Sequence, residues 1–253
     1  MKLKEIVQRL NDFAPPELAH FEKQNGLLSG SIDTDVKKIG ITLDFTNSTL
    51  SKAIENKYDL LIIHNSGNYD SAASELFKKN LEKAINNKIA VFQMHLNLDF
   101  CRDGIIDNLC KIMGFEGTPA KLSYNGNIIV GGVYVSKASL SFNELVDRIN
   151  RISPKAIIIG GKKKDAYINI AITSGSGCKS EFLEQLEIDA FICGQIGHEA
   201  MRAAEELGIT LISATNYSTE NEPLKLVAKK IQEIMPETNI EFIEEQDSIE
   251  VVK

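Results

Sequence analysis

Short, uninterrupted apolar runs alternate with helical patterns through most of this sequence, and that alternation is its strongest constraint. In DLLIIHNSGN (residues 59–68), Leu60–Ile63 are apolar at consecutive positions. A strand that is apolar at every position is buried on both faces, as in parallel sheets covered by helices on each side. Similar runs read as strands at 36–44, 88–94, 128–135, 155–161, 166–173, 189–194 and 209–214. Helical spacing fills 46–57, about Ser71 to Asn87, 103–113, 141–152, 178–186 and 196–207. The helix from Ser71 places Phe77, Leu81, Ala84 and Ile85 on one face, the spacing of a buried stripe. The runs at 155–161 and 166–173 are separated by a short polar turn, which predicts a hairpin and a mixed second sheet. The tail, 222–252, reads as one helix with one or two terminal strands. The Gly, Pro and Asn of GFEGTPAKLSYNGN (114–127) suggest a boundary. The expected fold class is α/β in two lobes with largely parallel or mixed sheets. The first lobe comprises 1–120 with 214–253 and carries most candidate site residues; the second is 121–213.

Composition removes several functional classes. A formal net charge of -7 leaves no excess of Lys and Arg to neutralise phosphates, so nucleic acid is not an expected partner. The basic run Lys162-Lys163-Lys164 is followed by Asp165 and reads as a solvated turn. No segment approaches the roughly 18–20 apolar residues that cross a bilayer. The opening MKLKEIVQRLNDF is amphipathic and carries acids, so it reads as a first helix and not a signal peptide. Cys101, Cys110, Cys178 and Cys193 form no CxxC and no zinc-ribbon spacing, which suits a reducing, cytoplasmic setting.

In open α/β sheets, ligands bind beyond the carboxyl ends of the strands. Strand 59–64 ends in His64-Asn65; strand 88–94 is followed by His95 and Asp99; strand 209–214 is followed by Asn216 and Glu220. Polar residues at strand ends meet solvent and need no function. Histidine at the ends of two buried strands is explained less well that way, because imidazole is also a common metal ligand and acid–base group.

These stretches, taken in order, resemble the GTP cyclohydrolase I type 2-like family, also called Ngg-one-interacting-factor-three-like. VKKIGITLDFTNSTLSKAIENKYDLLIIH is similar to its opening strand–helix–strand, and IAVFQMHLNLDF to its H-x-N-x-D motif. The long segment SGSGCKSEFLEQLEIDAFICGQIGHEAMRAAEELGITLISATNYSTE follows its C-terminal signature, which ends in H-Y-x-T-E. The resemblance implies two α/β lobes, a cavity between them holding two metal ions, and a toroidal hexamer. Carried over by position, it makes His64, His95, Asp99 and Glu220 metal ligands, while two expected histidines fall on Asn65 and Asn216. The family's HHPL is HNSG here.

An amide oxygen is a poor ligand for zinc or iron(II), whereas imidazole suits both. The remaining two imidazoles and two carboxylates suffice for one zinc, iron or manganese ion with an open position. The expectation is therefore one ion, or weak occupancy; a site with no metal is the alternative. With metal, the chemistry would be hydrolysis of a small, nucleotide-like substrate, with Asp99 or Glu220 as ligand or general base. The alternative is a non-catalytic oligomeric ring that binds a metal, a metabolite or a protein. TSGSGCKSEF reads as a tight strand-to-helix turn, and Cys178 within it as structural. His198 reads as a surface or capping residue, and His20 is given no role.

Overall fold

The computed structural model describes residues 1–19, 25–67 and 74–251; His20 and the expected helical residues 71–73 lie outside them. In chain order the elements begin with α1 (Leu3–Phe13), β1 (Gly26–Ser29), β2 (Lys38–Asp44), α2 (Asn47–Glu55), β3 (Leu60–Asn65), α3 (Glu75–Asn86), β4 (Ala90–Gln93) and α4 (Leu96–Phe100). They continue with α5 (Ile105–Met113), β5 (Gly117–Tyr124), β6 (Asn127–Ser141), α6 (Phe142–Ile149), β7 (Ile158–Gly161) and β8 (Ala166–Ile172). The remainder is α7 (Ser180–Leu183), β9 (Ala190–Cys193), α8 (His198–Leu207), β10 (Thr210–Ser213), α9 (Asn216–Ile234) and β11 (Asn239–Phe242). The chain divides into two units, Met1–Cys101 with Leu224–Gln246, and Arg102–Pro223 with the residues from Asp247 onward.

The first unit is built on a five-stranded sheet in the order β1-β4-β3-β2-β11. Four of its strands are parallel, and β1 closes the edge antiparallel to β4. Every residue of β3 is buried, as its unbroken apolar run requires. Leu61, Ile63 and Val91 pack with Leu50 and Ala53 of α2 and Ala84 of α3, and Phe77 and Leu81 add their partly buried rings and branches. Of the predicted α3 stripe, Ile85 instead points outward and is 55% exposed. Helix α2 begins at a reciprocal cap: Thr46 Oγ1 accepts from the Thr49 amide at 3.1 Å, and Thr49 Oγ1 accepts from the Thr46 amide at 3.0 Å.

The second unit carries a six-stranded sheet in the order β5-β6-β8-β9-β10-β7. It is mixed, with β8, β9 and β10 parallel and the outer pairs antiparallel. The expected hairpin between 155–161 and 166–173 does not form. Strand β7 pairs antiparallel with β10 at the far edge, from Ile158 opposite Ser213 to Gly161 opposite Thr210. The stretch 114–127 is not a linker but β5 and a hairpin turn into β6. Asn125 and Gly126 both have positive φ, 49° and 76°, the two-residue turn that matches the twist of paired strands. Pro119 is accommodated because β5 is an edge strand, with a register shift after it.

Two stretches fall on the other side of the expected division. Residues 102–120 join the second unit, where α5 packs beside β6. Residues 214–223 do so as well, tied by the Ala214 amide to the Cys193 carbonyl at 2.9 Å. Helix α9 also starts earlier than the expected tail helix, at Asn216, and accommodates Pro223 in its interior. No described helix is long and apolar enough to cross a membrane.

Leu61 is fully buried at the centre of the first unit's core. Truncation there leaves a cavity, so Leu61→Ala is expected to cost about 3 kcal/mol in urea unfolding. A loss below about 1 kcal/mol would contradict this packing.

Candidate metal centre

Parallel pairing brings the carboxyl ends of β3 and β4 to one sheet edge: Ile63 pairs with Gln93, and the Met94 amide donates to the Ile63 carbonyl at 3.0 Å. His64 therefore stands beside the segment that carries His95 and Asp99. Alternation along β3 turns His64 to the face opposite Ile63. The short helix α4 does the rest. His95 occupies its N-cap position, and the Leu98 and Asp99 amides donate to its carbonyl at 2.8 and 3.0 Å. One helical turn then brings His95 and Asp99 to one side. Asn25 Oδ1 accepts from the His95 amide at 3.0 Å, and Asn97 Nδ2 donates to the Ala14 carbonyl at 2.8 Å, so the N-terminal end of α4 is anchored twice.

His64, His95 and Asp99 each offer one ligand atom, and these atoms lie within 4.8 Å of one another. The two imidazoles meet edge to face with centroids 5.1 Å apart. Nδ1 of His64 lies 2.9 Å from the Met94 carbonyl oxygen. A carbonyl can only accept, so Nδ1 carries the proton, and in the neutral ring the lone pair is on Nε2. That Nε2 faces Oδ1 of Asp99 at 3.7 Å, beyond hydrogen-bond reach. Both side chains are buried, at 0% and 7% exposure. A lone pair facing a buried carboxylate is repulsive unless positive charge lies between or beside them. A proton on Nε2 would supply it, and so would a metal ion. Ligand atoms on a tetrahedral ion with bonds of about 2.0–2.2 Å are about 3.3–3.6 Å apart, close to the observed gap. The donor set thus fits a divalent ion.

Asn65 does not join this cluster. It is still part of β3, paired with Asp44 at the end of β2, and alternation turns it away from His64. Its side chain hydrogen-bonds the Asp44 carboxylate. Asp44 was not singled out in the sequence, although VKKIGITLD carries the same sign, an acid at a strand end. Burial raises its pKa above the usual carboxylate range, with the Asn65 bond opposing. Glu245 is raised in the same way, by burial and the nearby Asp44 charge, although its oxygens accept from Thr46 Oγ1 at 2.8 Å and the Asp44 amide at 3.1 Å. The Met94 carbonyl was also missed, since backbone geometry leaves no mark in residue types.

Asn216 and Glu220 stand on the second unit, and not in a loop but four residues apart in the first turns of α9. Asn216 Oδ1 is buried with no hydrogen-bond partner among the described residues and lies against Gly194, where an added Cβ would come within 2.7 Å of it. Glu220 is buried at 6% exposure. Its carboxylate packs on Gly175, whose φ of 50° and lack of Cβ make room for it; any side chain there would collide with Oε1. Glycine in TSGSGCKSEF thus serves a close approach. Thr215, which leads into α9, has a positive φ of 66°. His198 is exposed at the start of α8, and Lys164 of the basic run pairs with Asp189 at 2.7 Å.

The profile of the family Duf34/NIF3 (NGG1p interacting factor 3) matches residues 1–248, and the chain belongs to this family. A GTP cyclohydrolase 1 type 2 homolog of Methanocaldococcus jannaschii is 32% identical over 226 residues, covering 87% of this chain and 90% of that protein. A homolog of the same name from Borreliella burgdorferi is 31% identical, covering 87% and 89%. Among solved structures, reduced HcgD from Methanocaldococcus jannaschii superposes with a TM-score of 0.81 at 29% identity, covering 96% of this chain and 97% of that one. A hypothetical protein from Staphylococcus aureus gives 0.85 at 21% identity over 100% and 99%, a likeness of fold.

The raised pKa of Asp44 fixes the sign of a pH effect. A group whose folded pKa is raised contributes stability below its unfolded pKa and loses it as pH rises through the folded value. Charging the buried Asp44 in the folded chain therefore costs stability. Asp44→Asn keeps an acceptor for Asn65 and is expected to raise Tm at alkaline pH by a few degrees, the usual reach of one modest substitution in a chain of this size, about 2–4 °C. The gain should vanish as pH falls toward the unfolded carboxylate value. Equal Tm values across the whole range would contradict a buried, charged Asp44.

Proposed function

We propose that this member of the family is a metal-binding protein with a reduced centre, holding one divalent ion, zinc, iron or manganese, on His64, His95 and Asp99. The observation that carries this reading is the fixed tautomer of His64, whose Nε2 is presented to Asp99 across 3.7 Å. Glu220 is the further carboxylate that the family resemblance adds to the set. Neither Asn65 nor Asn216 offers a donor that zinc or iron(II) prefers, so a second ion loses support.

The activity we assign is hydrolysis of a small, nucleotide-like substrate, in a cytoplasmic homo-oligomer, by resemblance a toroidal hexamer. A bound divalent ion lowers the pKa of a water to about 7 and polarises a substrate oxygen. The protein's part is to hold that chemistry in place. The Met94 carbonyl keeps the His64 ring oriented with its Nε2 toward Asp99. Burial around Asp99 excludes bulk water and strengthens each charge interaction. Asp99 or Glu220, through a carboxylate oxygen not holding the ion, would accept the proton. The names of the relatives point to GTP, but the changes at Asn65 and Asn216 argue against carrying that substrate over. Those same two changes favour the second reading, a non-catalytic ring that binds a metabolite or a protein.

Metal per chain, measured by elemental mass spectrometry on protein purified without chelator or affinity nickel, separates the readings. The expected values are about one metal for the native chain and about two for Asn65→His/Asn216→His, the stoichiometries that a single- and a two-ion site define. His95→Ala should lose the ion, and Glu220→Gln should weaken it by roughly 10–100-fold if Glu220 belongs to the set. A native chain that stays empty after loading with zinc, iron(II) and manganese would overturn the metal-hydrolase reading and leave the binding ring.

A further inference from the structure

The second unit brings together two cysteines that are distant in sequence and unused by the metal centre. Cys193 is the last residue of β9, and Cys178 lies in the loop that follows β8. Strands β8 and β9 are parallel neighbours, so that loop starts beside the end of β9. It is held there by the Gly175 carbonyl, which accepts from the Gly194 and Gln195 amides at 2.8 and 2.9 Å. Cys178 stands beside Cys193 and is the strongest influence on its thiol pKa. Both are free thiols and both are buried, at 5% exposure for Cys178 and 0% for Cys193.

They differ in access. Cys178 lines a cavity of about 370 Å³, together with Tyr124, Ser176, Lys179, Gln195 and Glu199. Cys193 does not line the cavity; its Sγ donates to the carbonyl of Gln195, which does, at 3.4 Å. A small neutral oxidant entering the cavity therefore meets Cys178 first. The neighbouring Cys178 thiol, and then burial, hold the Cys193 thiol well above its ordinary pKa. The other two cysteines lack this arrangement. Cys110 is pushed up to about 12 by burial and the nearby Asp107 charge, and Cys101 donates to the Leu98 carbonyl at 3.5 Å.

We propose that Cys178 and Cys193 form a redox-active dithiol, closed to an intrachain disulfide by a hydroperoxide that enters through this cavity. The Cys178 thiol gives up its proton, and its sulfur attacks the peroxide O–O bond; one oxygen is transferred to give a sulfenic acid and the other leaves as water. The Cys193 sulfur then displaces the sulfenic hydroxyl, which leaves with the Cys193 proton as a second water, and the S–S bond forms. Overall two thiols lose two electrons and two protons, and hydrogen peroxide is reduced to two waters. The bond would close one residue from Gly194, on which Asn216 packs, and on the loop whose Gly175 packs on Glu220. The proposal is independent of any bound metal.

The test treats the full chain with a few equivalents of hydrogen peroxide, blocks remaining thiols after denaturation, and maps tryptic peptides without reduction. The expected product joins peptides 165–179 and 180–202 with loss of two hydrogens, and dithiothreitol reverses it, while Cys101 and Cys110 remain blockable. Cys193→Ser should instead leave a sulfenic acid on Cys178 that dimedone captures. If that variant does not fold, the native peptide map alone decides. Free thiols at both positions, over-oxidation of Cys178 without a link, or a link only between separate chains would each overturn the proposal.

Discussion

One hydrogen bond, from His64 Nδ1 to the carbonyl of Met94, decides the chemistry of the candidate centre. Without it, the buried imidazole could present either nitrogen and either tautomer. With it, Nε2 is the nitrogen left to face Asp99, and the ring is fixed between two strands by the sheet itself. The acceptor follows β4, the donor is the last residue but one of β3, and the parallel register of these strands sets their distance. The apolar core beneath β3, centred on Leu61 and Ile63, keeps that register rigid. Function in this account is thus a consequence of strand packing, with few residues given over to it alone.

The alternation that builds the sheet also separates two neighbours. His64 and Asn65 are consecutive, yet β3 continues through Asn65, so their side chains leave opposite faces. Asn65 finds Asp44 on its own face, and the resulting amide–carboxylate bond stabilises a strand end that carries a buried acid. Where the resemblance expects a histidine pair, this chain has His64 and an asparagine bonded to Asp44. On the second unit the change is of another kind. Asn216 sits at the start of α9 with its oxygen buried against glycine, while Glu220 is held one turn later against Gly175. Each glycine is a gap that an acid or amide fills.

Much of this was legible in the sequence, and the parts that were not share physical causes. Runs such as Leu60–Ile63 and Ala190–Cys193 are buried on both faces, so their composition alone identifies them as strands. The rule that ligands bind beyond strand ends singled out His64, His95 and Asp99, whose ligand atoms the fold brings within 4.8 Å of one another. Strand β5 was missed because half of it faces outward and its Gly, Pro and Asn look like a linker; the Asn125-Gly126 turn was the signal to weigh. The pairing of β7 with β10 could not be read, since short polar turns favour hairpins and only tertiary contacts override that preference. The tail helix expected from 222 begins earlier, at Asn216, so Pro223 lies inside α9.

The central claim is that a cation belongs between His64 Nε2, His95 and Asp99. The most direct measurement is anomalous diffraction at the zinc absorption edge from crystals grown with zinc. The account predicts a peak within bonding distance of all three side chains, about 2.0–2.2 Å from each ligand atom. No peak there, with His64 protonated on Nε2 and the cluster otherwise unchanged, would contradict it.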